Sequence, residues 1–334
     1  MVFAKSGDTR TDERSPRLRE RAAGNNTFTL AHLSDPHVFC PDGARAGDLL
    51  TKRLYGYVSW RLHRRTEHES KVLAAVLVDL ERTKPDHIVV TGDLTHLGLP
   101  SEFQKASHWL CALGPPSNVT VIPGNHDAYV AEAWDRTFAL WADYMLSDET
   151  RVDVRSEFDL HTIFPSLRVR GTIALIGVSS ALPTAPFLAV GNVGQTQLHK
   201  LQTILAETGR RGLFRVVLIH HPPVPGKVRW RKRLKDGGAF RSVLARYGAE
   251  LVLHGHVHRI SVGEFETCTG ETPAIGVTSA SALGRRPDRT ARYHLYRVTR
   301  HAKAWEVVTS VRAYSLTDKR FVPEGERHQT VPHP

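Results

Sequence analysis

Five short clusters of aspartate, histidine and asparagine punctuate this chain, and each follows a run of β-branched and aliphatic residues. Asp35-Pro36-His37 comes after 28–34, Gly92-Asp93 after 86–91, and Gly124-Asn125-His126-Asp127 after 119–123; His220-His221-Pro222 follows 214–219, and Gly255-His256-Val257-His258 follows the run that begins at 250. With 19 histidines in the chain a lone Asp-x-His is commonplace. Five such pieces in order, each at the end of a strand candidate, are not, and a purely structural role would bury polar groups at sheet ends without a task. In open α/β sheets the carboxyl ends of the strands face one crevice, where residues distant in sequence meet. Imidazoles, carboxylates and one amide oxygen, with no thiolate, suit divalent Mn, Fe or Zn better than a cysteine-zinc knot. The set is large enough for two ions. A carboxylate can bridge a pair of ions ~3.5–4 Å apart, which then clamp a phosphoryl group and lower the pKa of a shared water.

The elements that must position these residues read as α/β. Short apolar runs (28–34, 86–92, 119–123, 167–178 in two pieces around Gly171, 214–219, 250–254) alternate with patterns of helical period at 71–83, 101–113, 134–146, 194–208 and 238–247. The helix at 101 is marked by Pro100-Ser101 with Gln104 three residues on, a capping-box pattern, and by Gly114-Pro115-Pro116 at its end. After 258 the helical pattern stops; 260–267, 274–280, 292–299 and 304–313 read as consecutive strands, an antiparallel extension completing a second sheet. Residues 1–27 hold ten charges and no period, so they are expected to be a disordered tail. One domain over 28–315 and a C-terminal tail at 316–334 complete the expected organisation.

The chain has 334 residues, 41% of them hydrophobic and 24% charged, with 45 Lys+Arg against 34 Asp+Glu and a formal charge of +11. That composition excludes collagen, disulfide scaffolds and wholly disordered chains. There is no apolar run of the ~18–20 residues a membrane span requires and no export signal, and Cys40, Cys111 and Cys268 have no metal-type or redox spacing, so a cytoplasmic protein with three free thiols is expected. The positive excess sits in two basic insertions, 48–71 and 227–241, where 52–71 carries a net +4 and 227–241 a net +6. Both follow candidate metal loops, which makes Arg61, Arg64, Arg65, Arg229 and Arg231 candidates for substrate contact. Lys52 to Leu62 interleaves cations with aromatics and leucines, a pattern of helices that lie on lipid, stack on a base, or pack with snorkelling arginines.

The ordered set Asp-x-His, Gly-Asp, Gly-Asn-His-Asp, His and Gly-His-x-His resembles the calcineurin-like metallophosphoesterases, and the resemblance spans about 28–260. It implies a four-layer α/β/β/α sandwich of two mixed sheets with flanking helices. Carried over by motif position, Asp35, His37 and His258 would hold one divalent metal ion, Asp93 would bridge, and Asn125, His220 and His256 would hold a second. His126 would protonate the leaving oxygen or stabilise phosphoryl charge, with Asp127 orienting its ring. His220 is preferred to His221 as ligand because the family shows His-x-Pro and Pro222 supplies the proline; His221 would then face the substrate or support a ligand. His254 is read as structural or as supporting a ligand, and Cys40, three residues past His37, as a thiol and not a ligand. The implied activity is hydrolysis of a phosphodiester by a metal-bridging hydroxide, and in length and motif form the bacterial cyclic-nucleotide phosphodiesterases are the nearest match. A phospholipid headgroup or lipid-linked pyrophosphate hydrolase at an anionic membrane, a nuclease and a non-catalytic scaffold are the alternatives. No nucleic-acid-binding module is appended, and a scaffold has no physical reason to keep seven ligands.

Overall fold

The computed structural model describes residues 26–38, 46–49, 52–63, 67–149, 159–226, 228–284 and 287–333. Strands β1 (Thr27–Leu33), β2 (His87–Val90) and β3 (Val119–Val121) run parallel to one another. The chain then forms β4 (Ser166–Arg170), β5 (Ile173–Val178), β6 (Phe214–Ile219), β7 (Leu251–His254), β8 (Ser261–Thr267) and β9 (Gly270–Gly276), in the sheet order β4-β5-β6-β7-β9-β8. It returns to the first sheet with β10 (Arg292–Arg300), β11 (Ala304–Ser315) and β12 (Arg320–Pro332), which extend it antiparallel from β1 in the order β12-β11-β10-β1-β2-β3. The long helices are α1 (Arg53–His63), α2 (Ser70–Thr83), α3 (Pro100–Leu113), α4 (Gln195–Arg210) and α5 (Gly237–Tyr247).

The layering follows from side-chain alternation. In β6, Phe214, Val216 and Leu218 join the core between the sheets, whereas Val217 and Ile219 join a second core with Leu198, Leu201 and Leu205 of α4 and Phe240 and Leu244 of α5. A strand covered on both faces has no polar side, so β6 is apolar but for Arg215, whose buried charge is paired with Glu250. Across the inter-sheet core Phe214 of β6 meets Trp305 of β11 edge to face, centroids 5.5 Å apart. On the outside of the first sheet, Asp79 of α2 accepts from Tyr293 of β10 and Arg312 of β11, at 2.7 Å from the tyrosine oxygen. The result is two mixed sheets between layers of helix.

Four expectations need correction. The late strands do not all complete the second sheet: β8 and β9 do, but β10 and β11 join the first. Residues 320–332 are not tail but edge strand β12, paired with β11 through a bulge between Val311 and Arg312. An edge strand needs only backbone pairing, so RFVPEGERHQTVP shows little apolar alternation; Phe321 and Val331 alone are well buried. The helix expected at 134–146 is broken into short turns, because Trp141 turns inward to donate to the Phe103 carbonyl at 3.0 Å and stack on its ring. The capping residue of α3 is Glu102, whose carboxylate accepts from the backbone of His96, Leu97 and Leu99 at 2.9–3.0 Å. Of the expected tail 1–27, only Asn26 and Thr27 fall among the described residues, and Cys40, Arg64 and Arg65 lie outside them.

Candidate active site and metal centre

The parallel ladders continue past their strands into the loops that carry the site. Beyond β1 and β2, Asp35 N donates to Gly92 O at 3.0 Å and His37 N to Asp93 O at 3.1 Å; beyond β6 and β7, Gly255 N donates to His220 O at 3.1 Å. The sheets are tied together at the same place. His220 Nδ1 donates to the Thr91 carbonyl at 2.7 Å, and His256 N donates to the Asp35 carboxylate at 3.1 Å. Such packing bends the backbone. Asp35, His37, Asp93, His256 and His258 all have φ between 40° and 73°, and they are five of the eight described non-glycine residues with positive φ. Left-handed backbone at such residues costs on the order of 1 kcal/mol each and persists where the surroundings enforce it, which is characteristic of functional sites. Gly124 has no room for a side chain either: a Cβ there would lie 2.2 Å from an Asp93 carboxylate oxygen and 2.4 Å from its backbone nitrogen.

Asp35, His37, Asp93 and His258 bring one donor atom each within 4.8 Å of one another, and Asp93, His220 and His256 do the same. Asp93 belongs to both groups. Asn125 joins the second through its Oδ1, 3.2 Å from His220 Nε2. All seven residues expected as ligands therefore converge on one pocket. The imidazoles are held in the tautomers a cation needs. His37 Nδ1 donates to Thr95 O at 2.8 Å, leaving Nε2 buried with no hydrogen-bond partner; His256 Nε2 donates to Lys232 O at 3.0 Å, leaving Nδ1 for the pocket. A buried ring nitrogen with a lone pair and no donor facing it fits a metal ion.

Electrostatics agree with this. Burial, reinforced by neighbouring histidines, pushes His37 and His256 well below the ordinary imidazole value and keeps them neutral. Burial also opposes charge on Asp93 and His220, but their mutual attraction at 3.3 Å dominates. Asp93 is held well below the usual carboxylate range, with help from His126, and His220 is raised to about 9. A pocket that draws a proton onto His220 to balance Asp93 is one that a divalent cation can serve instead.

His126 lies beside this group. Its Nδ1 donates to the His96 carbonyl at 2.6 Å, its backbone N–H donates to Asp93 Oδ1 at 2.7 Å, and Tyr129 stacks on its ring at 5.7 Å. Asp127 does not orient that ring. Its carboxylate instead accepts from the backbone of Asp93, Thr95 and Gly124 and from the Thr95 hydroxyl, at 2.8–3.0 Å, and so fixes the two loops that carry Asp93 and Asn125 against each other. Of the two places expected for His221, the structure shows the second: it is fully buried, bonded to Ser180 at 2.8 Å, and its ring packs 4.4 Å from that of His256, away from the cleft a substrate would enter.

The cleft over the site has a volume of about 460 Å³ and is lined by Lys52, Tyr55, Trp60, Phe187, Arg229 and Arg231 among others. Arg61 is exposed on α1 and is not among the lining residues. The sequence reading missed His68, His96 and Glu102. His68 brings a ring nitrogen within 4.8 Å of donor atoms of His37 and His258, and His96 stacks on His37 at 4.5 Å. His96 stands three residues past Asp93, a spacing that points at the same loop; His68 has no local signal at all.

Two six-stranded mixed sheets between helices, with this donor set at the carboxyl ends of five strands, define a metal-dependent hydrolase of phosphoric esters. The chain belongs to the calcineurin-like phosphoesterase family, whose sequence profile matches residues 28–259. It is 27% identical over 237 residues to a probable cyclic nucleotide phosphodiesterase of Synechococcus sp., covering 70% of this chain and 74% of that protein. It is equally 27% identical over 237 residues to a 3',5'-cyclic-nucleotide phosphodiesterase of Nostoc sp., covering 70% and 72%. Among solved structures, a dimetal phosphatase from Danio rerio superposes with a TM-score of 0.56 and 12% identity over 92% of this chain and 99% of that one, a likeness of fold.

Proposed function

We propose that the protein is a dinuclear-metal phosphodiesterase acting on a small phosphodiester, with a cyclic nucleotide favoured. The observation that carries this reading is the position of Asp93, shared between two donor groups that together draw on the loops of both sheets. Asp35, His37, Asp93 and His258 would hold one ion; Asp93, Asn125, His220 and His256 would hold the other. Two divalent ions of Mn, Fe or Zn type would neutralise phosphate charge and make water acidic enough to attack phosphorus at neutral pH.

The protein's own groups supply the rest. His126, fixed through Nδ1, exchanges its proton at Nε2 and gives it to the departing oxygen. Arg229 and Arg231 at the rim attract the anionic ester, and Tyr55, Tyr129 and Phe187 give the cleft aromatic surface on which a base can stack. The names of the Synechococcus and Nostoc relatives support the cyclic-nucleotide assignment. A phospholipid headgroup diester is the second reading, favoured by Phe187, which is 75% exposed at the cleft mouth.

The test is a turnover screen of Mn-loaded protein against a chromogenic diester, a chromogenic monoester, cyclic nucleotides and phospholipid headgroup esters. Diester and cyclic-nucleotide hydrolysis exceeding monoester hydrolysis is expected. Monoester turnover alone overturns the phosphodiesterase reading, and headgroup release without cyclic-nucleotide turnover selects the second.

A further inference from the structure

The rim of the cleft carries an apolar surface that extends well beyond the rings available to a substrate. α1 is packed along one side, where Arg53 and Trp60 are buried and Gly56 lies so close to Tyr129 that a Cβ would meet its hydroxyl at 2.4 Å. At 100° per residue these three positions share an arc of roughly 60°. The opposite side of such a helix should be polar. Instead it presents Leu54, Tyr55, Val58 and Leu62, which are 48%, 56%, 46% and 70% exposed, and they fall on one arc of roughly 100°.

Two other segments continue this surface. Phe187 is 75% exposed, touches Tyr55 with centroids 5.6 Å apart, and is held at φ 66°, a left-handed conformation that a bulky residue rarely adopts. Trp230 is 62% exposed between Arg229 and Arg231, both of which line the cleft. These six residues are more than half of the eleven large hydrophobics exposed among the described residues, and they lie on three segments that line the cleft, which is more concentrated than the usual scatter of single exposed apolar residues.

The surface is also cationic. From Arg229 to Lys235 there are five basic residues and no acid, and Lys52 and Arg289 join Arg229, Arg231 and Lys232 around the mouth. The segment is pinned in place: Ala189 N donates to Arg231 O at 2.9 Å and Gly191 N to Arg233 O at 3.0 Å. Aliphatic side chains flanked by Trp, Tyr and arginine match the interface of an anionic bilayer, where the former enter the acyl boundary, the rings lie at headgroup depth and the cations meet phosphate. Nucleic acid would use the cations and rings but leave Leu54, Val58 and Leu62 in water. A second copy of the chain would set like charges face to face.

We propose that the outer face of α1, with Phe187 and Trp230, docks on anionic phospholipid bilayers and holds the mouth of the metal cleft against the headgroups. No helix among the described residues is long and apolar enough to cross a membrane, so this is attachment at the surface. The proposal concerns where the enzyme sits and stands whichever ester it cleaves.

It is tested by co-sedimentation of the full chain with phosphatidylcholine vesicles with and without phosphatidylglycerol. Binding to the anionic vesicles, weaker by on the order of tenfold or more on phosphatidylcholine alone, is expected. Replacing Leu54→Gln, Val58→Gln and Leu62→Gln together should weaken binding by on the order of a hundredfold while hydrolysis of a soluble chromogenic diester is unchanged. Trp230→Gln, a milder change, should remove a vesicle-induced blue shift of tryptophan emission. Failure of the wild type to bind anionic vesicles, or equal binding by the triple variant, overturns the proposal. So does a concentration-dependent dimer that the triple variant abolishes without any vesicle binding.

Discussion

The Nδ1 of His126 and the backbone carbonyl of His96 are 2.6 Å apart, and that carbonyl is itself placed by Glu102, which takes the backbone N–H groups of His96, Leu97 and Leu99. The ring beside the metal site is therefore aimed by the start of α3. Asp127, its neighbour in sequence, works on the loops below.

A ring held this way can deliver a proton at Nε2 without contributing to metal affinity. His126→Ala should retain wild-type metal content and lose turnover by roughly 10²–10⁴-fold, with the greatest loss on esters whose leaving groups are poor. The check is kcat across a series of aryl phosphodiesters; an equal loss for every leaving group would falsify the acid role.

Asp93 serves both donor groups, so its loss should be felt at both. Asp93→Ala is expected to bind no metal at either position, whereas His258→Ala should lose only one ion. Gly124→Ala should resemble Asp93→Ala in part, because the new Cβ would strike the Asp93 carboxylate and backbone. Metal-to-protein ratios after gel filtration decide this, and an Asp93→Ala protein that keeps two ions per chain rejects the shared ligand.

The second sheet contains a test of stability away from the site. Arg215 on β6 and Glu250, just before β7, are almost fully buried and joined by three hydrogen bonds, two between side chains, with Arg215 Nη2 to Glu250 Oε1 at 2.6 Å, and one from the Arg215 backbone N–H to the carboxylate. Removing one partner strands the other charge, so Glu250→Ala should cost about 3–5 kcal/mol in urea unfolding. The double replacement Arg215→Met with Glu250→Leu should recover most of that loss, and a simple sum of the two single effects would show that the pair is not coupled.

Acid stability should depend on His87, at the start of β2. It bonds to Thr120 at 2.8 Å, and burial, reinforced by Arg170 and Arg168, lowers its pKa from 6.5 to about 3. Between those values the unfolded chain takes up a proton that the fold refuses. The contribution is complete above pH 6.5 and is lost as the pH falls toward 3, with a slope of about 1.4 kcal/mol per pH unit in mid-window. His87→Gln should flatten the fall in unfolding free energy by about that slope. An unchanged pH profile would mean that the ring is protonated in the fold.

Much of this was legible in the residues themselves. Candidate metal ligands are restricted by chemistry to a few residue types, and the sheet puts them directly after apolar runs, so Asp35, Asp93 and His256 announce themselves locally as candidates. β5 and β6 are equally plain because burial on both faces leaves almost no polar position in the run, Arg215 with its buried partner Glu250 being the exception. β12 is not, since an edge strand is held by backbone bonds that leave no mark on side-chain pattern. The helix expected at 134–146 fails for a related reason: its apolar period is genuine, but Trp141 finds a better place against Phe103 than on a regular helix face.

By itself the sequence determined which donor residues come together and on what kind of fold, because donor chemistry and strand periodicity act over a few residues at a time. Only the tertiary structure decided that His96 aims His126, that Asp127 braces loops, that His68 stands beside the ligands, and that the apolar stripe of α1 faces outward. Each of these is a relation between segments whose distance and orientation are set by how the two sheets pack, and no local pattern encodes that packing.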